Sequence, residues 1–147
     1  MITVRRMREE DVEAAAAIER ALFTMPWSAQ SFRESLALAD AIYCAAFEDG
    51  TLAGYCGLRL SFDEAEITNV AVAAEKQGRG IGKKMLTELM ALGRQAGAER
   101  FTLEVRTGNR PAIALYRSLG FEDAGIRPGF YEKPAEDALI MWTGRDR

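Results

Sequence analysis

The amino-acid sequence predicts an α+β (mixed α/β) fold: one twisted sheet of about seven strands flanked by four helices. Two observations predict it. The hydrophobic pattern opens with hairpin-like segments around Asp49-Gly50, then switches after residue 77 to helices and strands in alternation. The 147 residues, 48% hydrophobic and 28% charged, suit one core and leave little room for a second. A single domain over 1–147 is expected.

Each element has a local cause. "ITVRRM" alternates as a strand does. "EEDVEAAAAIERALF" is alanine-rich with acidic residues first, which suits a helix and its dipole. Pro26 breaks the chain, and Ser28 is placed to cap a second helix, "AQSFRESLAL". "AIYCAAFEDGTLAGYCGLRLSF" is two strands about an Asp-Gly turn, and "EAEITNVAV" is another strand. In "GIGKKMLTELMALGRQAG" Ile81, Met85, Leu86, Leu89, Met90 and Leu92 recur at helical spacing, and Gly97 stops the run. "RFTLEVR" is a strand. "RPAIALYRSLGF" is a short helix, with Pro111 in its first turn and Gly120 at its end. "FEDAGI" and "DALIMWT" close the sheet.

Composition excludes several classes. Net charge is -3 and pI about 5.2, which speaks against a general nucleic-acid binder. No apolar run approaches a membrane span, and the N-terminus has no signal-peptide pattern. Cys44 and Cys56 lie in apolar strands, as reduced core thiols of a cytoplasmic protein. Histidine is absent, which rules out serine–histidine pairs and histidine-bound metals. No metal is expected, and acid–base work falls to Glu, Asp, Tyr, Lys, Cys, a terminus or water.

The stretch "QGRGIGKKM" (77–85) follows a strand and opens a helix. Free amides and the helix dipole at such a start favour an anion, and glycine lets backbone approach a phosphate closely. Arg79, Lys83 and Lys84 add positive charge, Lys84 being the one placed to point away. Two phosphate motifs fail. The P-loop needs glycine where Gln77 stands and a hydroxyl where Lys84 stands. The dinucleotide fingerprint needs glycine at Lys83. An ordinary glycine turn with a solvated basic face is the competing reading.

In "RFTLEVR", Phe101, Leu103 and Val105 share one face, and Thr102, Glu104 and Arg106 the other. Glu104 is a solvated carboxylate, a partner of Arg106, or a functional group. Tyr116 on the next helix is a core aromatic or a functional phenol. Asn109 suits a turn or a cap.

Taken together these stretches resemble the GNAT superfamily of N-acetyltransferases. "QGRGIG" is similar to its acyl-coenzyme-A diphosphate loop, with Gln77, Gly80 and Gly82 at the fixed places. "NVAV" resembles the strand that pairs with the pantetheine arm through Val70, Ala71 and Val72. "N…A…LYxxLGF" resembles the late helix, with Asn109, Leu115, Tyr116, Leu119, Gly120 and Phe121. Within that superfamily the chain resembles most the bacterial ribosomal-protein-alanine N-terminal acetyltransferases, through "IERALFTMPWSAQSF", "LEVRTGN" and "YEKPAEDALIM". One departure is Gly108, where that group usually has serine.

The resemblance implies a mixed, mostly antiparallel sheet and acetyl-coenzyme A as cosubstrate, with no metal. It implies direct transfer to a peptide N-terminal amine, with Glu104 as general base and Tyr116 as general acid. The cofactor contacts it implies are Val70, Ala71, Val72, Gln77, Gly78, Arg79, Gly80, Ile81, Gly82, Lys83 and Asn109. Trp27 and Tyr131 are implied substrate contacts. The partner is a peptide or protein N-terminus, a ribosomal protein's alanine first, with no nucleic acid and no membrane; the chain is a monomer or weak dimer. Glu132, Glu136 and Asp137 are either an attraction for a basic peptide or a solvated loop. Competing readings are another amine acceptor (lysine, polyamine, amino sugar or amino acid) and a non-catalytic acyl-coenzyme-A-binding domain.

Overall fold

A computed structural model describes residues 1–144. Seven segments with strand patterns pair into one sheet: β1 (Ile2–Arg6), β2 (Ala41–Glu48), β3 (Thr51–Ser61), β4 (Glu64–Val72), β5 (Arg100–Arg106), β6 (Glu122–Tyr131) and β7 (Glu136–Gly144). Their order is β1-β2-β3-β4-β5-β7-β6. Every neighbouring pair is antiparallel except β4 and β5.

Four α-helices cover the two faces: α1 (Val12–Leu22), α2 (Ala29–Leu36), α3 (Ile81–Gln95) and α4 (Arg110–Ser118). Strand β2 has helices over both faces. Ile42, Cys44 and Ala46 join the core formed with α3 and α4; Tyr43 and Ala45 join the one formed with α1 and α2. This explains the nearly unbroken apolar run, since a strand buried on both faces has no polar side to alternate with. The caps follow the sequence. Ser28 Oγ accepts from the Ser31 N–H at 3.1 Å, and Asn109 Oδ1 from the Ala112 N–H at 3.3 Å.

Two boundaries differ from expectation. Phe62 is not the end of a strand. It sits at φ 58 in the two-residue turn between β3 and β4, and is 99% exposed. No Gly or Asn marks that turn, so the strand pattern runs on through it. β6 continues beyond "FEDAGI" to Tyr131. It is an edge strand with irregular register at Asp123/Gly125 and at Arg127/Tyr131, which accommodates Pro128 and hides the strand pattern.

The feature that makes the site is a separation. β4 and β5 pair only at Glu64–Arg100, Ala65–Phe101 and Glu66–Thr102. Beyond that, β4 carries a bulge: Leu58 faces Ile67 and Gly57 faces Asn69, so Thr68 is the extra residue. A bulged strand bends, and here β4 parts from β5. The Ala73 N–H bonds to the Ala53 carbonyl at 2.8 Å. By alternation the backbone groups of Ala71 face β3, and those of Val70 and Val72 face the gap.

Packing beside the bulge is tight. Tyr43 lies directly across from Gly57, and a Cβ on Gly57 would overlap its ring. The ring cannot swing freely: its hydroxyl bonds to Asn69 Oδ1 at 3.1 Å, and Trp27 packs 6.4 Å away. Gly57→Ala is expected to lower stability by about 1–3 kcal/mol, as overpacking does; urea unfolding measures it, and an unchanged midpoint would contradict this packing.

Candidate active site

The gap between β4 and β5 widens into a cleft of about 490 Å³. Its floor comes from Ile67 to Val70 of β4 and Leu103 to Arg106 of β5. Asn109, which caps α4, and Tyr116 of α4 close one side. Glu19, Phe23, Met25 and Trp27 form one wall, and Phe130 to Glu132 the other. Among the residues proposed from sequence, the cleft gathers Glu104, Tyr116, Asn109, Val70, Trp27 and Tyr131. It does not include the loop 77–83, which lies past the end of β4, between it and α3.

Glu104 projects from the half-open face of β5, as the strand period requires. It is neither solvated nor paired with Arg106. Its side chain is 16% exposed, and Arg127 of β6 approaches Oε2 to 2.7 Å. The approach is an ion pair without hydrogen-bond alignment, and Oε2 is buried with no hydrogen-bond donor. Arg106 is engaged elsewhere. It donates to the carbonyls of Pro134 (2.8 Å) and Glu132 (3.1 Å), pairs with Glu136 (3.3 Å) and stacks 4.5 Å from the Tyr131 ring.

Tyr116 is buried, packed edge-on against Phe121 at 6.0 Å. Among the described residues its hydroxyl has no hydrogen-bond partner. Burial pushes the phenol far above its ordinary range, so it holds its proton. Burial also raises the Tyr131 phenol, with the Glu104 carboxylate adding to the effect.

Gly78 and Gly80 of the loop take φ 81 and 78, and a Cβ on either would meet nothing within 4 Å. Glycine is required there by the backbone angle, not by crowding. No side chain caps α3. Its first internal bond runs from the Lys84 N–H to the Gly80 carbonyl at 3.1 Å, which leaves the N–H groups of Ile81, Gly82 and Lys83 outside the helix ladder. Gln77 Nε2 donates to the Val72 carbonyl at 3.0 Å and ties the loop to β4. This is an open, positively polarised start fit for an anion. The side chains of two loop cations face elsewhere. Arg79 Nη1 lies 2.8 Å from both oxygens of Glu48, and Lys84 donates to the Ile2 carbonyl at 3.0 Å. Hydrogen bonds from Lys76 and then Arg79 hold the Glu48 carboxyl below the usual carboxylate range.

The acidic run near the C-terminus divides. Glu136 accepts from the Gly108 N–H at 2.6 Å and pairs with Arg106; Asp137 accepts from the Gly129 N–H at 2.9 Å. Only Glu132 of the three lines the cleft. The Gly108 departure also has a physical setting, since a Cβ there would lie 2.7 Å from Glu136 Oε2.

Two groups escaped the sequence reading: Glu19, which lines the cleft, and Arg127, which contacts Glu104. Glu19 is 5% exposed, bonded to the buried Tyr55 hydroxyl and accepting from the Trp27 N–H at 3.2 Å. Burial first, then Glu19, raises the Tyr55 phenol. A signal existed: Glu19 extends the buried helix stripe Val12, Ala15, Ala16 at the next turn. Arg127 carried none, because its contact depends on a strand pairing two places away.

Comparison with known proteins bears on the family and the fold. The profile of the Acetyltransferase (GNAT) family matches residues 12–121. The [Ribosomal protein bS18]-alanine N-acetyltransferase of Escherichia coli strain K12 is 34% identical over 143 residues, covering 96% of each chain. The N-alpha-acetyltransferase RimI of Mycobacterium tuberculosis is 37% identical over 146 residues, covering 95% of this chain and 90% of that one. The crystal structure of the ribosomal-protein-S18-alanine N-acetyltransferase from Escherichia coli superposes with TM-score 0.89 at 33% identity, covering 98% of this chain and 94% of that one. With the family profile spanning most of its length and relatives alike over nearly all of it, this chain belongs to the acetyltransferase (GNAT) family.

Proposed function

We propose that this chain transfers the acetyl group of acetyl-coenzyme A to the α-amine of a peptide N-terminus, and that the acceptor is the N-terminal alanine of a ribosomal protein. One observation carries the reading: Glu104 and Tyr116 line a single cleft that opens along the unpaired edge of β4. The names of the Escherichia coli and Mycobacterium tuberculosis relatives support an N-terminal amine.

The loop fits the diphosphate of acetyl-coenzyme A. Main-chain N–H groups from Gly78 to Lys83 receive its charge, with the Lys83 side chain, unpaired among the described residues, nearby. The outward backbone groups of Val70 and the outward N–H of Val72 receive the amides of the pantetheine arm and bring the thioester beside Glu104 and Tyr116. A β4 amide then donates to the thioester oxygen as negative charge grows there. Glu104 takes one proton of the ammonium and frees the nitrogen lone pair. The amine nitrogen bonds to the acetyl carbon, the carbon–sulfur bond breaks, Tyr116 gives its proton to the departing sulfur, and the second nitrogen proton returns to the Tyr116 oxygen. Holding both reactants in one cleft supplies several kcal/mol without a covalent enzyme intermediate.

Proton energetics favour an α-amine. With a pKa near 8, on the order of a tenth is neutral at pH 7, against roughly 0.04% for a lysine near 10.4. A carboxylate base matches the former better. The walls suit a peptide: Trp27 and Tyr131 stand on opposite sides, and Phe23, Met25 and Phe130 are partly exposed beside them.

Glu104→Gln is expected to lower kcat by about two orders of magnitude, the usual contribution of a general base, with coenzyme A affinity little changed. Steady-state rates with calorimetric binding check this, and an unchanged kcat would remove Glu104 as the base. Incubation with acetyl-coenzyme A and peptides differing at the first residue is expected to label the α-amine of the alanine peptide, as read by mass spectrometry. Acetylation of internal lysines alone would overturn the acceptor assignment.

A further inference from the structure

The carboxylate proposed as base already has a cation on it. Arg127 Nε sits 2.7 Å from Oε2 of Glu104, and Glu104 lines the cleft an amine must enter. Arg127 reaches there from the outer strand: β6 pairs with β7, and β7 with β5.

Several features make this cation displaceable. Its side chain is 56% exposed, whereas Glu104 is 16% exposed, so leaving returns the guanidinium to water at small cost. The register of β6 shifts just after Arg127, so the ladder does not fix the strand there as it does in the sheet interior. The contact with Oε2 lacks hydrogen-bond alignment, so a better-directed donor gains by replacing it. Arg106, the other nearby cation, cannot take the role, since two carbonyls, Glu136 and the Tyr131 ring hold it.

We propose that Arg127 is a stand-in for the acceptor's ammonium: it neutralises Glu104 while the cleft is empty, and the charged amine binds by displacing it. The exchange keeps a buried carboxylate paired throughout, which avoids the cost of exposing it alone in an apolar setting. It also screens ligands, because a neutral group has nothing to offer Glu104 in return for Arg127. The inference rests on the acceptor amine entering beside Glu104, as proposed above.

The test compares wild type, Arg127→Ala and Arg127→Lys by calorimetry. Each is titrated with a short peptide beginning with alanine and with the same peptide already acetylated at its N-terminus. Arg127→Ala is expected to tighten the free-amine peptide by about two- to fivefold, the scale of one partly exposed ion pair. The acetylated peptide should gain no comparable amount, and Arg127→Lys should bind the amine as wild type does. Equal tightening of both peptides would mean that Arg127 is only a steric obstacle. Weaker binding of the amine would mean that it helps hold the acceptor. Either result overturns the proposal. Failure of the base assignment is seen separately, as retained turnover in Glu104→Gln, and leaves this binding difference readable.

Discussion

The parting of β4 from β5 is the constraint on which the rest of the structure depends. Parallel strands inside a sheet normally stay bonded along their length, and an unpaired edge is a liability. Here pairing stops after Glu66, and the outward backbone groups of Val70 and the Val72 N–H are left facing a gap, the Val72 carbonyl being taken by Gln77. Buried or half-buried backbone polar groups require partners. A ligand with amides spaced along an extended arm can supply them, as an added strand would. The fold thus builds its site by leaving one ladder unfinished. The bulge at Thr68 and the tight Gly57–Tyr43 contact beside it lie on the other edge of the same strand.

Charge in the site is arranged in pairs rather than left free. Glu48 holds Arg79 and Lys76 behind the loop, Arg106 is fixed by Glu136 and two carbonyls, and Glu19 is held by Tyr55 and Trp27. What faces the loop's open side is main chain, which needs no side-chain reorganisation when an anion arrives. What lines the cleft is a carboxylate, Glu104, whose present partner comes from an edge strand. On the proposed reading the loop and the cleft treat their ligands differently: the loop offers fixed dipoles to a diphosphate, and the cleft exchanges one cation for another.

Much of this was legible in the sequence, for identifiable reasons. The alternating faces of β5, the caps at Ser28 and Asn109 and the Asp49-Gly50 turn are local properties, set within a few residues. The glycine loop was legible because positive φ at Gly78 and Gly80 restricts residue choice. The Phe62 turn was not, because an aromatic residue disguises a left-handed backbone. Nor was the partner of Glu104. Neighbours on one strand suggested Arg106, whereas the sheet order brings Arg127 across from β6. Glu19 lay on a helical stripe visible in the sequence, yet an acidic residue in an alanine-rich helix invites a solvent-facing assignment.

The most direct measurement is an amide chemical-shift titration of isotope-labelled protein with coenzyme A. The largest changes are expected at Val70, Val72 and the loop from Gly78 to Lys83. Changes centred instead on the groove beside Arg6 and Arg33, with the β4 edge and the loop unmoved, would contradict a coenzyme site on the unfinished ladder.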